Sequence, residues 1–312
     1  EIVVLESPVP KSTSFLGYDA LECEANVFMM RKSGARKSVV FDPEKLIPVA
    51  TEKTVFYPEG GGQVGDAGTI STANESYPIV DTYRDGAVIE HVVRVDGVSS
   101  AEDFWERTTG APVRLHVYRE RRYSTMRNHT ATHLLHAALR RVLGDHVAQA
   151  GSLVAPDRLR FDFHHFHAMK PEEIAEVGRQ VNQAVMGDLE VTDTQMAYKD
   201  AIRTGAMALF GEKYGDIVRV VSIADVSKEL CGGTHLKRTG EIGPFFIRQE
   251  SAVAAGVRRV EALTGANAHE IVRRSLDDWN AVAALLHVTP AEVESRLRSL
   301  IVEHEAVLRE RQ

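Results

Sequence analysis

Two histidines one helical turn apart, His129 and His133, stand in the run Asn128-His129-Thr130-Ala131-Thr132-His133, and a second pair, Cys231 and His235, stands far downstream in Cys231-Gly232-Gly233-Thr234-His235. In a helix, residues four apart share a face, so both imidazoles can point at one ion. In the second pair the glycines allow a tight turn that brings thiolate and imidazole together. Three nitrogens and one sulfur suit tetrahedral Zn²⁺, with expected Zn–N distances of ~2.0–2.1 Å and Zn–S of ~2.3 Å. Either pair alone reads as ordinary histidines and a spare thiol. Together they read as a zinc site. No Glu follows His129, which argues against a His-Glu-x-x-His metalloprotease, where that Glu is the general base.

The elements that must position these residues follow from periodicity. Short β-rich runs near 20–30, 36–41, 53–56, 67–72, 76–82, 86–95 and 111–120, broken by Gly, Pro and Asp, predict a small barrel. A helix is predicted from about Arg122, carrying Met126, His129, His133 and Leu134 and stopping at Gly144. Strands near 147–154, 158–164, 190–197, 217–223, 242–249 and 256–263, with a helix from about Pro171 to Met186, predict helices on an antiparallel sheet. The expected class is therefore α+β: an N-terminal small β-barrel over 1–121, a zinc-containing α/β two-layer core over 122–265, and C-terminal helices over 266–312. One tail helix is expected over 266–287. Another starts at Thr289-Pro290-Ala291-Glu292, where Thr caps, Pro takes the first helical position and Glu reaches back. Val293, Leu297, Leu300, His304 and Val307 then form a coiled-coil-like seam. An intramolecular helical hairpin is the alternative, and the shortness of the run favours it.

With 312 residues the chain can build two independent cores. It has two cysteines, Cys23 and Cys231, so a disulfide framework is excluded and a reducing compartment is expected; Cys23 reads as a small buried apolar residue. No apolar stretch approaches the ~18 residues of a membrane helix and no signal-peptide pattern opens the chain, so a soluble, cytoplasmic protein is expected. A start at Glu1 without Met and an end inside a helical pattern suggest a piece of a larger protein. The net charge of −7 means that any nucleic-acid contact must be local. Arg119, Arg121, Arg122 and Arg127, then Arg140 and Arg141, then Arg258 and Arg259 are the clusters that can meet phosphates. For any single one, a solvated face is the competing reading.

The sequence around the metal pairs is more specific than the pairs. The stretch Arg127-Asn-His-Thr-Ala-Thr-His-Leu-Leu-His-Ala-Ala-Leu-Arg140, followed by Gln149-Ala-Gly-Ser-Leu-Val154 and Arg158-Leu-Arg-Phe-Asp-Phe163, resembles the editing domain of alanyl-tRNA synthetase. Further blocks carry the resemblance: Phe56-Tyr-Pro-Glu-Gly-Gly-Gly-Gln63, Gly205-Ala-Met-Ala-Leu-Phe-Gly-Glu-Lys-Tyr-Gly-Asp216, Glu229-Leu-Cys-Gly-Gly-Thr-His235 and Ala255-Gly-Val-Arg-Arg-Val-Glu261. It runs from about residue 15 to about residue 265. Free-standing proteins that hydrolyse mischarged tRNA share the zinc motifs. Phe15-Leu16-Gly17-Tyr18 and the C-terminal helices resemble the synthetase more closely. In the family the N-terminal region resembles the barrel of translation factors. Gly60 departs from the pattern, which often has Ser there, and is expected to loosen the glycine-rich loop.

The resemblance implies editing hydrolysis of the ester joining serine or glycine to the 3′ end of alanine tRNA, with Zn²⁺ as cofactor. The expected partners are the tRNA acceptor end and the remainder of the synthetase, with no membrane. It places Gln149 beside the editing pocket, where its amide can orient water or substrate; a Gln satisfied by backbone would look the same in sequence. Thr132, between the metal histidines, can bond a serine hydroxyl, or instead the helix carbonyl four residues back. Gly60, Gly61, Gly62 and Gln63 can bring backbone amides to the terminal ribose or the aminoacyl group. His164, His165 and His167 lack ligand spacing and read as surface or packing residues. Whether zinc activates water or holds the substrate amine stays open. So do a free-standing deacylase and a tRNA-binding module with a purely structural zinc.

Overall fold

A computed structural model describes residues 2–4, 12–31, 46–98, 101–208 and 214–310. The strand expected at 36–41 and residues 209–213 of the 205–216 block lie outside the described residues. The chain forms two compact units, Glu1–Gly265 and Ala266–Gln312.

The first unit opens with strands β1 (Ile2–Val4), β2 (Ser14–Phe15), β3 (Glu22–Ala25), β4 (Val27–Arg31), β5 (Leu46–Thr51), β6 (Lys53–Thr54), β7 (Gly68–Ser71), β8 (Ser76–Asp85), β9 (Val88–Arg94) and β10 (Val113–Val117). Among the described residues, eight form an antiparallel sheet in the order β1-β4-β5-β9-β8-β7-β10-β3. Period-two patterning gives the sheet one dry face: in β10, Val113, Leu115 and Val117 are buried while Arg114 and His116 are exposed. Strands β3 and β4 are separated by Asn26 alone, yet β3 pairs with β10 and β4 with β5. One bent segment thus serves both sides of the half-barrel sheet. Met30, Ile47, Val49, Ile70, Ile79, Val93 and Leu115 fill it, joined by Phe104 from α1 (Ala101–Thr108), a helix the periodicity does not predict.

The remainder of the first unit contains α2 (Arg119–Leu143), β11 (Gln149–Val154), β12 (Leu159–His164), α3 (Pro171–Met186), β13 (Val191–Ala197), α4 (Tyr198–Arg203), β14 (Ile217–Ile223), β15 (Ser227–Leu230), β16 (Phe245–Ala254) and β17 (Val257–Thr264). Two antiparallel sheets result, β11-β12-β17-β16 and β13-β14-β15. Helix α2 packs Ala131, Leu134, Leu135, Ala138 and Leu139 against Leu159, Phe161, Phe163, Val260 and Ala262. From α3, Val177, Val181 and Val185, each four residues apart, enter the same core. The α2 helix stops where Gly144 takes φ 116° and donates its N–H to the Arg140 carbonyl at 2.9 Å. Helices on antiparallel sheets make the class α+β, as the periodicity predicts.

Arg122 corrects one expectation. Its guanidinium is 1% exposed, ion-paired with Asp66, and donates to the Gly17 carbonyl at 2.5 Å and the Val55 carbonyl at 2.7 Å. It joins α2 to the first sheet's surroundings and cannot meet a phosphate from solvent.

The second unit has α5 (Gly265–Leu285) and α6 (Val293–Glu310). At the turn between them the Glu292 carboxylate accepts the Thr289 N–H at 2.9 Å and hydroxyl at 2.6 Å, with Pro290 at the first helical position. This is the cap read from the sequence. Among the described residues no helix is long and apolar enough to cross a membrane.

Candidate metal centre

Helix α2 offers His129 and His133 from successive turns, and β15 runs directly into the loop that carries Cys231 and His235. The four ligand atoms lie within 4.8 Å of one another. Cys231 Sγ is 3.2 Å from His235 Nε2 and 3.4 Å from His129 Nε2. A tetrahedral Zn²⁺ with ordinary bond lengths has N–S edges of about 3.5 Å, so the donor set fits that ion. Burial pushes all three imidazoles below their ordinary range, and nearby histidines push the same way. Neutral rings keep a lone pair free for a metal.

Two of the rings are also held from behind. His129 Nδ1 lies 2.7 Å from Gln63 Oε1 and His235 Nδ1 lies 3.2 Å from Thr130 Oγ1, whereas His133 Nδ1 stands 3.7 Å from Glu229 Oε2, beyond hydrogen-bond reach. Such partners orient metal-binding imidazoles and set their tautomers. Glu229 is 4% exposed. Although burial opposes its ionisation, hydrogen bonds from His136 Nδ1 and Ser227 Oγ, each at 3.1 Å, hold its carboxyl below the ordinary range. The metal loop is braced on its far side by Arg219, which donates to the Cys231 carbonyl at 3.1 Å and the Gly233 carbonyl at 2.8 Å. The same guanidinium lies 4.1 Å from the Tyr18 ring centre, and Tyr18 donates to the Gly232 carbonyl at 2.8 Å.

Beside the cluster is a cavity of about 60 Å³, with Gly61, Thr132, Gln149, Ser152, Tyr214 and Glu229 on its wall. Gln149 opens β11 at a register shift against β12, a bulge that re-aims its side chain; its amide donates to Ser152 Oγ at 3.4 Å. The Thr132 hydroxyl donates to the Asn128 carbonyl at 2.8 Å, the helix bond weighed above, while the residue still lines the cavity. Gly61 and Gly62 have φ of 57° and 80°, and a Cβ on Gly62 would fall 2.1 Å from Ser152 Oγ. Gly60 differs: its nearest neighbour to an added Cβ is 3.8 Å away, so Ser would fit there.

Gln63 is fully buried among the metal residues. Arg258 is clamped by Glu250 at 2.5 and 2.7 Å, and Arg259 by Asp162 at 2.7 and 2.8 Å. Of the other histidines, His165 Nδ1 meets His146 Nε2 at 2.9 Å. Sequence reasoning missed Glu229, Ser152, Tyr18 and Arg219. Glu229 stands two residues before Cys231 and was open to notice. Arg219 and Tyr18 carry no spacing signal, because only the folded loop brings them to Cys231.

Two family models match the chain: "Threonyl and Alanyl tRNA synthetase second additional domain" over residues 218–261 and "tRNA synthetases class II (A)" over residues 3–104. The alanine–tRNA ligase of Nitratidesulfovibrio vulgaris is 48% identical over 290 residues, covering 92% of this chain and 32% of the ligase. That of Thermus thermophilus is 48% identical over 300 residues, covering 94% and 33%, and that of Pseudothermotoga lettingae is 45% identical over 290 residues, covering 93% and 32%. The chain spans about a third of the length of these relatives. With this identity sustained across nearly all of its residues, the chain belongs to the alanyl-tRNA synthetase family, as a domain-bearing segment of it.

Proposed function

We propose that this chain is the editing part of an alanyl-tRNA synthetase and hydrolyses the ester joining serine or glycine to the 3′ end of alanine tRNA. The observation that carries this reading is the small cavity whose wall holds both the metal cluster and the side chains of Gln149 and Thr132. Its 60 Å³ amounts to about four or five water positions, the scale of a small acyl group with an attacking water. The need for such a site is physical. A synthetic pocket shaped for alanine cannot sterically refuse glycine and only weakly rejects an added hydroxyl, so a second pocket must sort and cleave.

His129, His133, Cys231 and His235 would hold Zn²⁺, which when bound polarises a carbonyl or lowers the pKa of a water. Gln149 orients water or ester through its amide, and Thr132 meets the serine hydroxyl. Water adds to the ester carbonyl carbon, the acyl–oxygen bond breaks, and the ribose oxygen leaves with a proton. The backbone of Gly60, Gly61 and Gly62 approaches the terminal ribose, and Arg258 and Arg259 meet phosphates by exchanging their carboxylate partners. The organisation that goes with this reading is a small β-barrel-like domain over 1–121, an editing core over 122–265 and a helical extension over 266–312, in a cytoplasmic synthetase. Four protein ligands fill a tetrahedral shell, and that observation favours a second reading, a structural zinc in a tRNA-binding module.

Gln149→His separates the two. It should keep zinc and fold while hydrolysing serine-charged tRNA at least ~10²-fold more slowly, since imidazole cannot supply the amide's paired donor and acceptor to a positioned reactant. Far-UV circular dichroism and metal content of the same preparation are the controls. Wild-type deacylation by this variant would return Gln149 to the scaffold.

A further inference from the structure

We propose that Gln63 is a positioning residue of the metal centre, fixing His129 in its Nδ1–H tautomer and tying that ring to the Cys231–His235 loop. The proposal rests on the metal reading of the four ligands and is independent of whether the site hydrolyses an ester. Its logic is one of donors and acceptors. The Thr234 backbone N–H can only donate, and it points at one end of the Gln63 amide at 2.9 Å, so that end is the oxygen. The same oxygen lies 2.7 Å from His129 Nδ1, which must therefore carry the proton. His129 Nε2 is left as a bare lone pair on the side where Cys231 Sγ lies 3.4 Å away. The other end of the amide donates to Thr234 Oγ1 at 2.9 Å.

The surroundings are built for this contact. Gln63 is fully buried, with Thr234 at 2% and His129 at 4% exposure, so no water competes. A Cβ on Gly233 would fall 2.0 Å from His129 Cε1, 2.4 Å from His129 Nδ1 and 2.9 Å from Gln63 Oε1, whereas one on Gly232 would meet nothing within 4 Å. Glycine is thus demanded at 233 by the His129–Gln63 pair itself. Gln63 is in turn anchored: its backbone exchanges two 3.0 Å bonds with Gly60, and the loop is stitched to β11 by Val64 N–H to the Val154 carbonyl at 3.0 Å and Val154 N–H to the Gly62 carbonyl at 2.7 Å. His235 takes its partner, Thr130, from α2 itself; His129 takes its partner from the glycine-rich loop before α2.

The test uses the full chain and two readouts other than activity: the ¹⁵N shifts of the His129 ring in metal-free protein, and the zinc dissociation constant by chelator competition. Wild type should show the Nδ1–H form; an Nε2–H form would overturn the proposal without any variant. Gln63→Leu should weaken zinc binding by about 10–100-fold and lose the exclusive Nδ1–H form. Gln63→Glu, whose carboxylate still accepts both N–H groups, should keep the tautomer and an affinity near wild type. Wild-type zinc affinity and tautomer in Gln63→Leu would make Gln63 scaffold. Zinc binding by wild type reports on the centre itself, and the change in the variant reports on Gln63, so the two readings fail separately.

Discussion

Among the candidate ligands Cys231 alone offers sulfur, and burial holds the three imidazoles around it below their ordinary range. Cys231→Ala removes that sulfur and a quarter of the ligand set, so bound zinc and deacylation should fall together, because metal binding and local folding are linked. Elemental analysis of the purified variant checks this, and undiminished zinc would take Cys231 out of the set. At this scale the sequence was most legible where chemistry restricts residue type: His129, His133, Cys231 and His235 announce themselves by kind and spacing. Their supports do not. Gln63, read as a substrate contact in a glycine run, is buried behind His129, and nothing in linear spacing relates residues 63, 129 and 234.

Elements were legible where periodicity is long. The α2 helix begins at Arg119, close to the expected 122, and ends at Gly144 as read; α3 matches its expected span. The helix α1 and strands β5 and β15, of eight, six and four residues, went unseen because such short stretches show too few periods. The β9 strand carries a separate, testable feature. His91 in it is fully buried, bonded to Val49 O at 3.0 Å and Thr54 Oγ1 at 2.7 Å, and burial pushes it down to about 4 despite the Val49 carbonyl. Between pH 6.5 and 4 the unfolded chain protonates this ring while the folded one does not, so stability falls as pH drops through that window, by about 3 kcal/mol in full. His91→Gln can donate to Val49 and accept from Thr54 without titrating. Denaturant unfolding of the metal-free chains should show a shallower acid loss in the variant by roughly that amount; parallel profiles would mean His91 does not titrate so.

For the whole molecule, the metal centre gathers residues from both parts of the first unit, Gln63 and Tyr18 from before α2, and α2 with the 231–235 loop from after it. That convergence was hidden in the sequence, where barrel and editing core read as successive blocks. With a charge of −7, the proposed RNA contact would fall to local clusters. If Arg258 and Arg259 exchange Glu250 and Asp162 for phosphates, replacing both by Ala should weaken tRNA binding and flatten its salt dependence by roughly one unit of slope per contact, with turnover at saturating tRNA preserved. An unchanged slope would make both pairs structural. The central claim is that the cavity sorts and cleaves small acyl groups, and incubating the zinc-loaded chain with alanine tRNA charged with serine, glycine or alanine tests it most directly. Rapid release of serine and glycine with alanine left attached is the predicted result; equal release of all three, or of none above the spontaneous rate, would contradict it.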